Sequence, residues 1–137
     1  MSLGIFIDSN LLIEHMRAKD KANTSFARML RPDRELCILT IVEYEVELGM
    51  TVYHRDLWNA IFACLTVVPF TSLMALTACK IKHDLKAKGI QIDLADLFIA
   101  ATAIANGLPL ATLNRKHFDQ IDGLNLFLPN EELGVRN

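Results

Sequence analysis

Three acidic residues occupy positions from which a folded chain could bring carboxylates together. Asp8 directly follows the apolar run at residues 4–7, Glu45 lies in the segment LTIVEYEVELGM, and Asp96 opens the apolar segment IDLADLFIAATAIANG. Carboxylates that converge from separate elements, without the Cys and His spacing of a zinc site, suit hard cations such as Mg²⁺ or Mn²⁺. A cation held in this way lowers the pKa of a bound water and stabilises charge on a phosphate during hydrolysis.

Each acid also has a purely structural explanation. Asp8 could cap the helix that follows it, and Asp93 with Asp96 could form a capping pair at a helix start. In a helix, the neighbours of Glu45 at three and four residues are apolar residues and a glycine. A carboxylate among them needs a partner if it is buried. The alternative is that the helix is rotated so that Glu45 lies at the solvent-exposed edge. We favour a functional site for Asp96 and capping for Asp93.

Composition bounds the class of protein. The chain has 137 residues, of which 52% are hydrophobic and 22% charged, so we expect residues 1–137 to form a single domain with a sizeable core. These values exclude a disordered chain and a disulfide-stapled miniprotein. A net charge of −2 disfavours nucleic-acid binding by bulk charge alone, but allows a local patch or bound cations. Three cysteines without a CxxC pair indicate reduced core thiols. With no secretion signal or membrane span, we expect a cytoplasmic location.

Short apolar strands alternate with helices along the chain. We expect strands at residues 4–7, 36–39, 65–68, 108–111 and 124–128. We expect helices at residues 9–17 and 23–30, and a third that Thr40 caps and that continues through about Trp58. Two more are expected at residues 72–88, with Leu73 and Leu76 near helical spacing, and from Asp93 through Asn106. This order predicts a parallel sheet covered on both faces, with sites beyond the carboxyl ends of its strands. Thr112, Asn114 and His117 also follow a strand end, although Thr-x-Asn is ordinary turn chemistry.

Four segments resemble the motifs of PIN-domain proteins, in order and spacing, over residues 5–129. FIDSNLLIEHMR resembles the opening motif, and IVEYEVELG the second, in which a Glu stands four residues before a Gly. DLADLFIAATAIANGLPLATLNRKHF resembles the third and fourth motifs. The short chain is similar to VapC-type toxins of type II toxin–antitoxin systems.

The resemblance implies a PIN fold, which is a three-layer α/β/α sandwich with a central parallel sheet, and a ribonuclease that depends on Mg²⁺ or Mn²⁺. It places Asp8, Glu45 and Asp96 at the family acids, as metal ligands and catalytic groups. Asn114 stands where many relatives carry Asp or Asn, and His117 where relatives often carry Asp or Glu. Supporting roles, including a second metal or orientation of the acids, would fall to Asn114, His117, Asp93, Thr112, Ser9 and Asn10. Arg115 and Lys116 are candidate RNA contacts.

The resulting hypothesis is a metal-dependent endoribonuclease toxin that cleaves RNA and is blocked by a cognate antitoxin. Related toxins form homodimers, and apolar residues near Trp58 and Phe62 could supply that interface. The alternative is a catalytically inactive PIN module that binds RNA or a partner protein, which only the missing acid at position 117 favours. A phosphatase on a haloacid-dehalogenase-like sheet needs an acid two residues after Asp8, where Asn10 stands. His15 and His54 are predicted to lie on helix surfaces.

Overall fold

A computed structural model describes residues 3–129, so the ends of the predicted single domain, residues 1–2 and 130–137, lie outside the described residues. The strands of this part are β1 (Leu3–Ile7), β2 (Arg34–Leu39), β3 (Thr66–Val68), β4 (Leu110–Ala111) and β5 (Leu126–Phe127). Its α-helices are α1 (Ser9–Arg17), α2 (Ser25–Met29), α3 (Thr40–Leu48), α4 (Arg55–Phe62), α5 (Ser72–Ala87) and α6 (Leu94–Asn106). Short 3₁₀ turns lie at Lys21–Asn23, Val52–His54 and Arg115–His117.

The five strands form one sheet in the order β3-β2-β1-β4-β5, and every pairing is parallel. Three consecutive residues of the central strand, Ile5, Phe6 and Ile7, are at most 3% exposed, so both faces of the sheet are covered. Such a strand is apolar at successive positions because helices pack on both of its sides. The predicted α/β fold class, a parallel sheet flanked by helices, is confirmed.

The strand order creates a crevice beside β1. The chain runs outward from β1 through β2 to β3, and then returns to place β4 on the other side of β1. In open parallel sheets, ligands bind at the carboxyl ends of the strands where the order reverses in this way. The Asp8 N–H donates to the Ala111 carbonyl over 3.0 Å, which fixes the first residue after β1 beside the end of β4.

The helix predicted from Thr40 through about Trp58 is wrong in length. α3 ends at Leu48, the chain turns through Gly49 and the 3₁₀ turn, and α4 begins at Arg55. Glycine is a poor helix former, and here it interrupts an otherwise helical pattern. Thr40 is the first residue of α3 rather than its cap.

Burial corrects several expectations about surfaces. Trp58 is only 2% exposed, so it cannot supply an apolar interface for a second copy, whereas Tyr53 is 95% exposed. Leu73 and Leu76 are exposed because α5 buries a face that begins at Met74.

The predictions for the burial of His15 and of two cysteines are also wrong. His15 is buried rather than on a helix surface, and its Nδ1 lies 2.6 Å from Thr24 Oγ1. Of the cysteines, only Cys37 is buried, and its burial raises the pKa of the thiol to about 12, whereas Cys64 and Cys79 are exposed. Between residues 3 and 129, no helix combines the length and the apolar character needed to cross a bilayer.

Candidate active site

Asp8 lies at the N-terminus of α1 with donors on both carboxylate oxygens. Its Oδ1 accepts the Ser9 N–H over 2.8 Å, so the capping interpretation is correct as far as it goes. Its Oδ2 accepts the Thr112 hydroxyl over 2.8 Å and the Asn10 amide over 3.3 Å. Burial raises the pKa of Asp8, the bonds from Thr112 and Ser9 oppose this shift, and the charge of Asp96 adds to it. A capping role alone does not require a second carboxylate nearby.

Glu45 lies on α3 and is half-buried. Its Oε1 is buried and has no hydrogen-bond partner within residues 3–129. Burial raises the pKa of Glu45, a hydrogen bond with the Ser9 side chain lowers it, and the charges of Asp8 and Asp96 raise it further. A buried polar atom without a partner is rare in folded proteins and indicates a missing ligand, ion or water.

Asp96 lies in the first turn of α6, where the helix dipole favours a negative charge. Its Oδ2 is 3.1 Å from His117 Nδ1, which comes from the turn after β4. Burial raises the pKa of Asp96, the charge and hydrogen bond of His117 lower it, and Asp93 raises it. His117 thus lies against one of the predicted acids, at the position where the sequence resemblance implies a further carboxylate.

The structure brings together Asp8 at the start of α1, Glu45 within α3 and Asp96 in the first turn of α6, so that their charges interact. Glu45 is influenced by both aspartates, and Asp8 by Asp96. No three Asp, Glu, His or Cys side chains among residues 3–129 are close enough to form a finished set of metal ligands. The chemistry of the donors nevertheless fits a hard cation, because all three are carboxylates and one oxygen is buried without a partner.

Asn10 and Thr112 form a polar bridge between α1 and the chain after β4. The Asn10 Oδ1 accepts the Leu113 N–H over 3.2 Å, and its Nδ2 donates to Thr112 Oγ1 over 3.3 Å. The Asn114 N–H donates to the same Thr112 oxygen over 3.0 Å. The backbone N–H of Asn114, rather than its side chain, makes this bond. These bonds hold Asp8 in place and fix the start of the turn that carries His117.

The remaining predicted residues lie at the rim of the site. Asp93 occupies the N-cap position of α6, but its side chain makes no capping hydrogen bond within the described residues, so the predicted cap is correct in position only. Arg115 and Lys116 are exposed on the 3₁₀ turn after β4. Lys116, His117, Asp93 and Asp96 line one cavity of about 230 Å³.

Sequence reasoning missed two polar residues of this cavity. Gln91, before α6, and Gln120, after the 3₁₀ turn, both line it. They are 29 positions apart in the chain (120 − 91) and belong to no motif, so no spacing rule brings them together. Only the packing of the two loops around Asp96 reveals them.

Comparisons with known proteins agree with this geometry. A PIN-domain family model matches residues 5–124. Ribonuclease VapC1 of Rickettsia felis is 43% identical, with 90% of this chain and 95% of the relative covered. Ribonuclease VapC10 of Mycobacterium tuberculosis is 34% identical, with 88% and 90% covered.

Solved structures show the same fold. FitAcB from Neisseria gonorrhoeae superposes with a TM-score of 0.78 and 25% identity, covering 91% of this chain and 97% of that chain. The DNA-bound VapBC from Salmonella typhimurium gives a TM-score of 0.79 at 23% identity, with the same shares covered. Because the family model spans most of the chain and curated relatives exceed 30% identity, this chain belongs to the PIN-domain family.

Proposed function

We propose that this chain is a metal-dependent endoribonuclease, the toxin of a toxin–antitoxin pair, with Asp8, Glu45 and Asp96 as its catalytic acids. The observation that carries the proposal is the buried, unpartnered Oε1 of Glu45, on a side chain that two further carboxylates influence. Three acids with raised pKa values in one crevice are costly to a fold, and such perturbed groups cluster at functional sites. Curated relatives at 34% and 43% identity are named ribonucleases, which supports RNA as the substrate.

The three acids would hold Mg²⁺ or Mn²⁺, because carboxylate oxygens suit both ions. When bound, the cation would activate water and stabilise the charge that develops on the phosphate. Thr112 and Asn10 hold the Asp8 carboxylate at one oxygen, and the Ser9 N–H holds it at the other.

The basic residues of the turn after β4 would position the RNA. Arg115 and Lys116 are exposed beside the site, and cationic side chains there can contact phosphates without reading sequence. The net charge of −2 means that these local contacts, together with the cation, must offset the repulsion between the acids and an RNA backbone.

The partners follow from the same assignment. A protein antitoxin would cover the crevice, and one of the structures similar to this chain is a toxin–antitoxin complex from Klebsiella pneumoniae. A homodimer, a cytoplasmic location and one domain over residues 1–137 complete the proposal. Since Trp58 itself is buried, its own ring would not contribute to the dimer surface expected near it.

Asp8→Asn tests the proposal. The purified variant should fold, fail to cleave RNA in Mg²⁺ or Mn²⁺, and no longer arrest growth when expressed, because it lacks the charge that binds the cation. Asp84→Asn, at an exposed position of α5, is the matched control and should cleave like the wild type. Cleavage by Asp8→Asn at the wild-type rate would contradict the assignment of the metal site.

The second candidate is an inactive PIN module that binds RNA or a protein. One observation favours it, since His117, whose Nδ1 lies 3.1 Å from Asp96, stands at a position where the sequence resemblance implies an acid. That candidate predicts RNA binding without cleavage at every Mg²⁺ and Mn²⁺ concentration, so the same assay separates the two.

A further inference from the structure

The cavity beside the three acids is lined by apolar as well as polar side chains, in contrast to the acidic site itself. Its volume is about 230 Å³, below the roughly 300–1,000 Å³ of sites for whole drug-sized ligands, so it suits one planar ring system. Asp8 and Glu45 do not line it, and Asp96 connects it to the acidic site. The aliphatic part of the lining consists of Leu85, Ile90, Ile92 and Ile121. The cavity therefore combines an apolar surface with a polar edge.

The two carboxylates of that polar edge disfavour a phosphate as the occupant, even though Lys116 also lines the cavity. Asp93 and Asp96 both line the cavity, and Asp93 raises the pKa of Asp96 by its charge. A phosphate placed between them would be repelled, whereas a neutral base that donates hydrogen bonds would be accepted. Asp93 is exposed and its carboxylate makes no capping bond within residues 3–129, so it is available as an acceptor.

We propose that this cavity is a nucleobase subsite that holds a guanine of the RNA next to the cleaved bond, with the Asp93 carboxylate as its main acceptor. Among the four bases, guanine presents two neighbouring donors, N1–H and N2–H₂, which match the two oxygens of a carboxylate. Its O6 is an acceptor, and Lys116, which lines the same cavity, would donate to it and leave Arg115 as the phosphate contact. The exposed ring of His117 lies at the rim and provides a surface on which the base can stack.

The two glutamines complete the recognition. Gln91 and Gln120 line the cavity, and each amide carries both a donor and an acceptor for the remaining base edge. Single-stranded RNA is read in this way, with a base turned out of the stack and bonded along its edge. This inference rests on the proposed ribonuclease function for its RNA, but the subsite itself can be tested without cleavage.

The first experiment titrates the free nucleosides into isotope-labelled protein in the absence of metal, followed by NMR. Guanosine should shift amide signals at residues 90–96 and 116–121, and adenosine, cytidine and uridine should bind about tenfold more weakly, as expected for loss of a bidentate pair. Asp93→Asn should remove the preference while the fold persists, because asparagine is also favoured at an N-cap. Asp119→Asn, an exposed neighbour outside the cavity lining, is the matched control and should keep the preference.

The second experiment maps cleavage on an RNA of mixed sequence. The wild type should cut beside guanines, and Asp93→Asn should cut with relaxed base preference. Cleavage without preference, together with equal or absent binding of the four nucleosides, overturns the subsite and leaves the ribonuclease proposal intact. Guanosine binding that depends on Asp93, in a protein that cleaves no RNA, supports the subsite and contradicts the ribonuclease proposal.

Discussion

Replacing Glu45 with glutamine should stabilise the metal-free protein. In the wild type, Oε1 of Glu45 is buried without a partner within residues 3–129, and the charges of Asp8 and Asp96 act against the ionised form. Glutamine has nearly the same shape, carries no charge, and presents an amide that can donate to a neighbouring carboxylate. The substitution therefore turns a repulsion into an attraction at the same position.

The size of the effect follows from the burial of this group. Leaving a buried polar group unsatisfied costs about 1–3 kcal/mol, and more when it is charged. Glu45 is only half-buried, so solvent screens part of this cost, and a gain of about 1–2 kcal/mol in the free energy of unfolding is expected. For a domain of this length, that gain corresponds to a rise in Tm of about 3–10 °C.

Divalent cations should reverse the order of stability. A ligand at one hundred times its Kd stabilises the folded state by about 2.7 kcal/mol, and the wild type should gain this amount with Mg²⁺ or Mn²⁺. Glu45→Gln lacks one of three carboxylates and should gain much less. The measurement is thermal and urea unfolding with chelator and over a series of cation concentrations.

Glu43→Gln is the control, since Glu43 lies on the same helix and is not among the charges that shift the pKa of Asp8, Glu45 or Asp96. It should leave both the metal-free Tm and the response to cations unchanged. A Glu45→Gln variant that is less stable than the wild type without metal would refute the electrostatic reasoning. Equal stabilisation of both proteins by cations would place the metal elsewhere.

Two further predictions concern histidines. His117→Asp should tighten Mg²⁺ binding, because it adds an oxygen ligand beside Asp96, whereas His117→Ala should have a modest effect. The dependence of RNA cleavage on cation concentration measures both effects. If His117→Ala loses activity as completely as Asp96→Ala, His117 is a direct catalytic group. Burial, and then the charge of Lys21, lowers the pKa of His15, and Glu14 opposes this, so the unfolded chain binds the proton more readily. Stability from His15 is therefore complete above pH 6.5 and declines as the pH falls from 6.5 towards the lower pKa of the folded state. His15→Gln should remove this decline in urea midpoints, and a slope that persists unchanged in His15→Gln would refute the assignment.

The elements of the sheet could be predicted because their signals are local. The apolar run before Asp8 is a strand buried on both faces, and α1 has the predicted bounds Ser9–Arg17. Gly107 ends α6 in the left-handed conformation, with φ +65°, as its position in the pattern indicates. The order of the strands in the sheet is not a local property, because it depends on which strands pair, and the sequence patterns predicted no order.

Side-chain surroundings could not be predicted from the pattern, because they depend on which helix face meets the sheet. His15 reads as a surface residue by its polarity, but it faces α2, where Thr24 supplies a hydrogen bond and Phe26 a ring contact at 5.1 Å between centroids. Leu73 and Leu76 have suitable spacing, but the alternative face of α5 packs inward. In both cases the helix is correctly predicted and only its rotation is not.

The cluster of acids destabilises the metal-free fold, and the topology of the sheet explains why the acids lie together. The reversal of strand order places Asp8 next to the end of β4, so that Thr112 and Asn10 can hold its carboxylate. The same reversal leaves Glu45 near two other acids with one oxygen unpartnered in the described chain. Hydrogen bonds from neutral groups can offset the burial of one acid, but the mutual repulsion of three is relieved by protonation or by a bound cation. A fold that keeps these acids together is thus less stable without a cation, and binding of the cation and stability of the crevice should rise together.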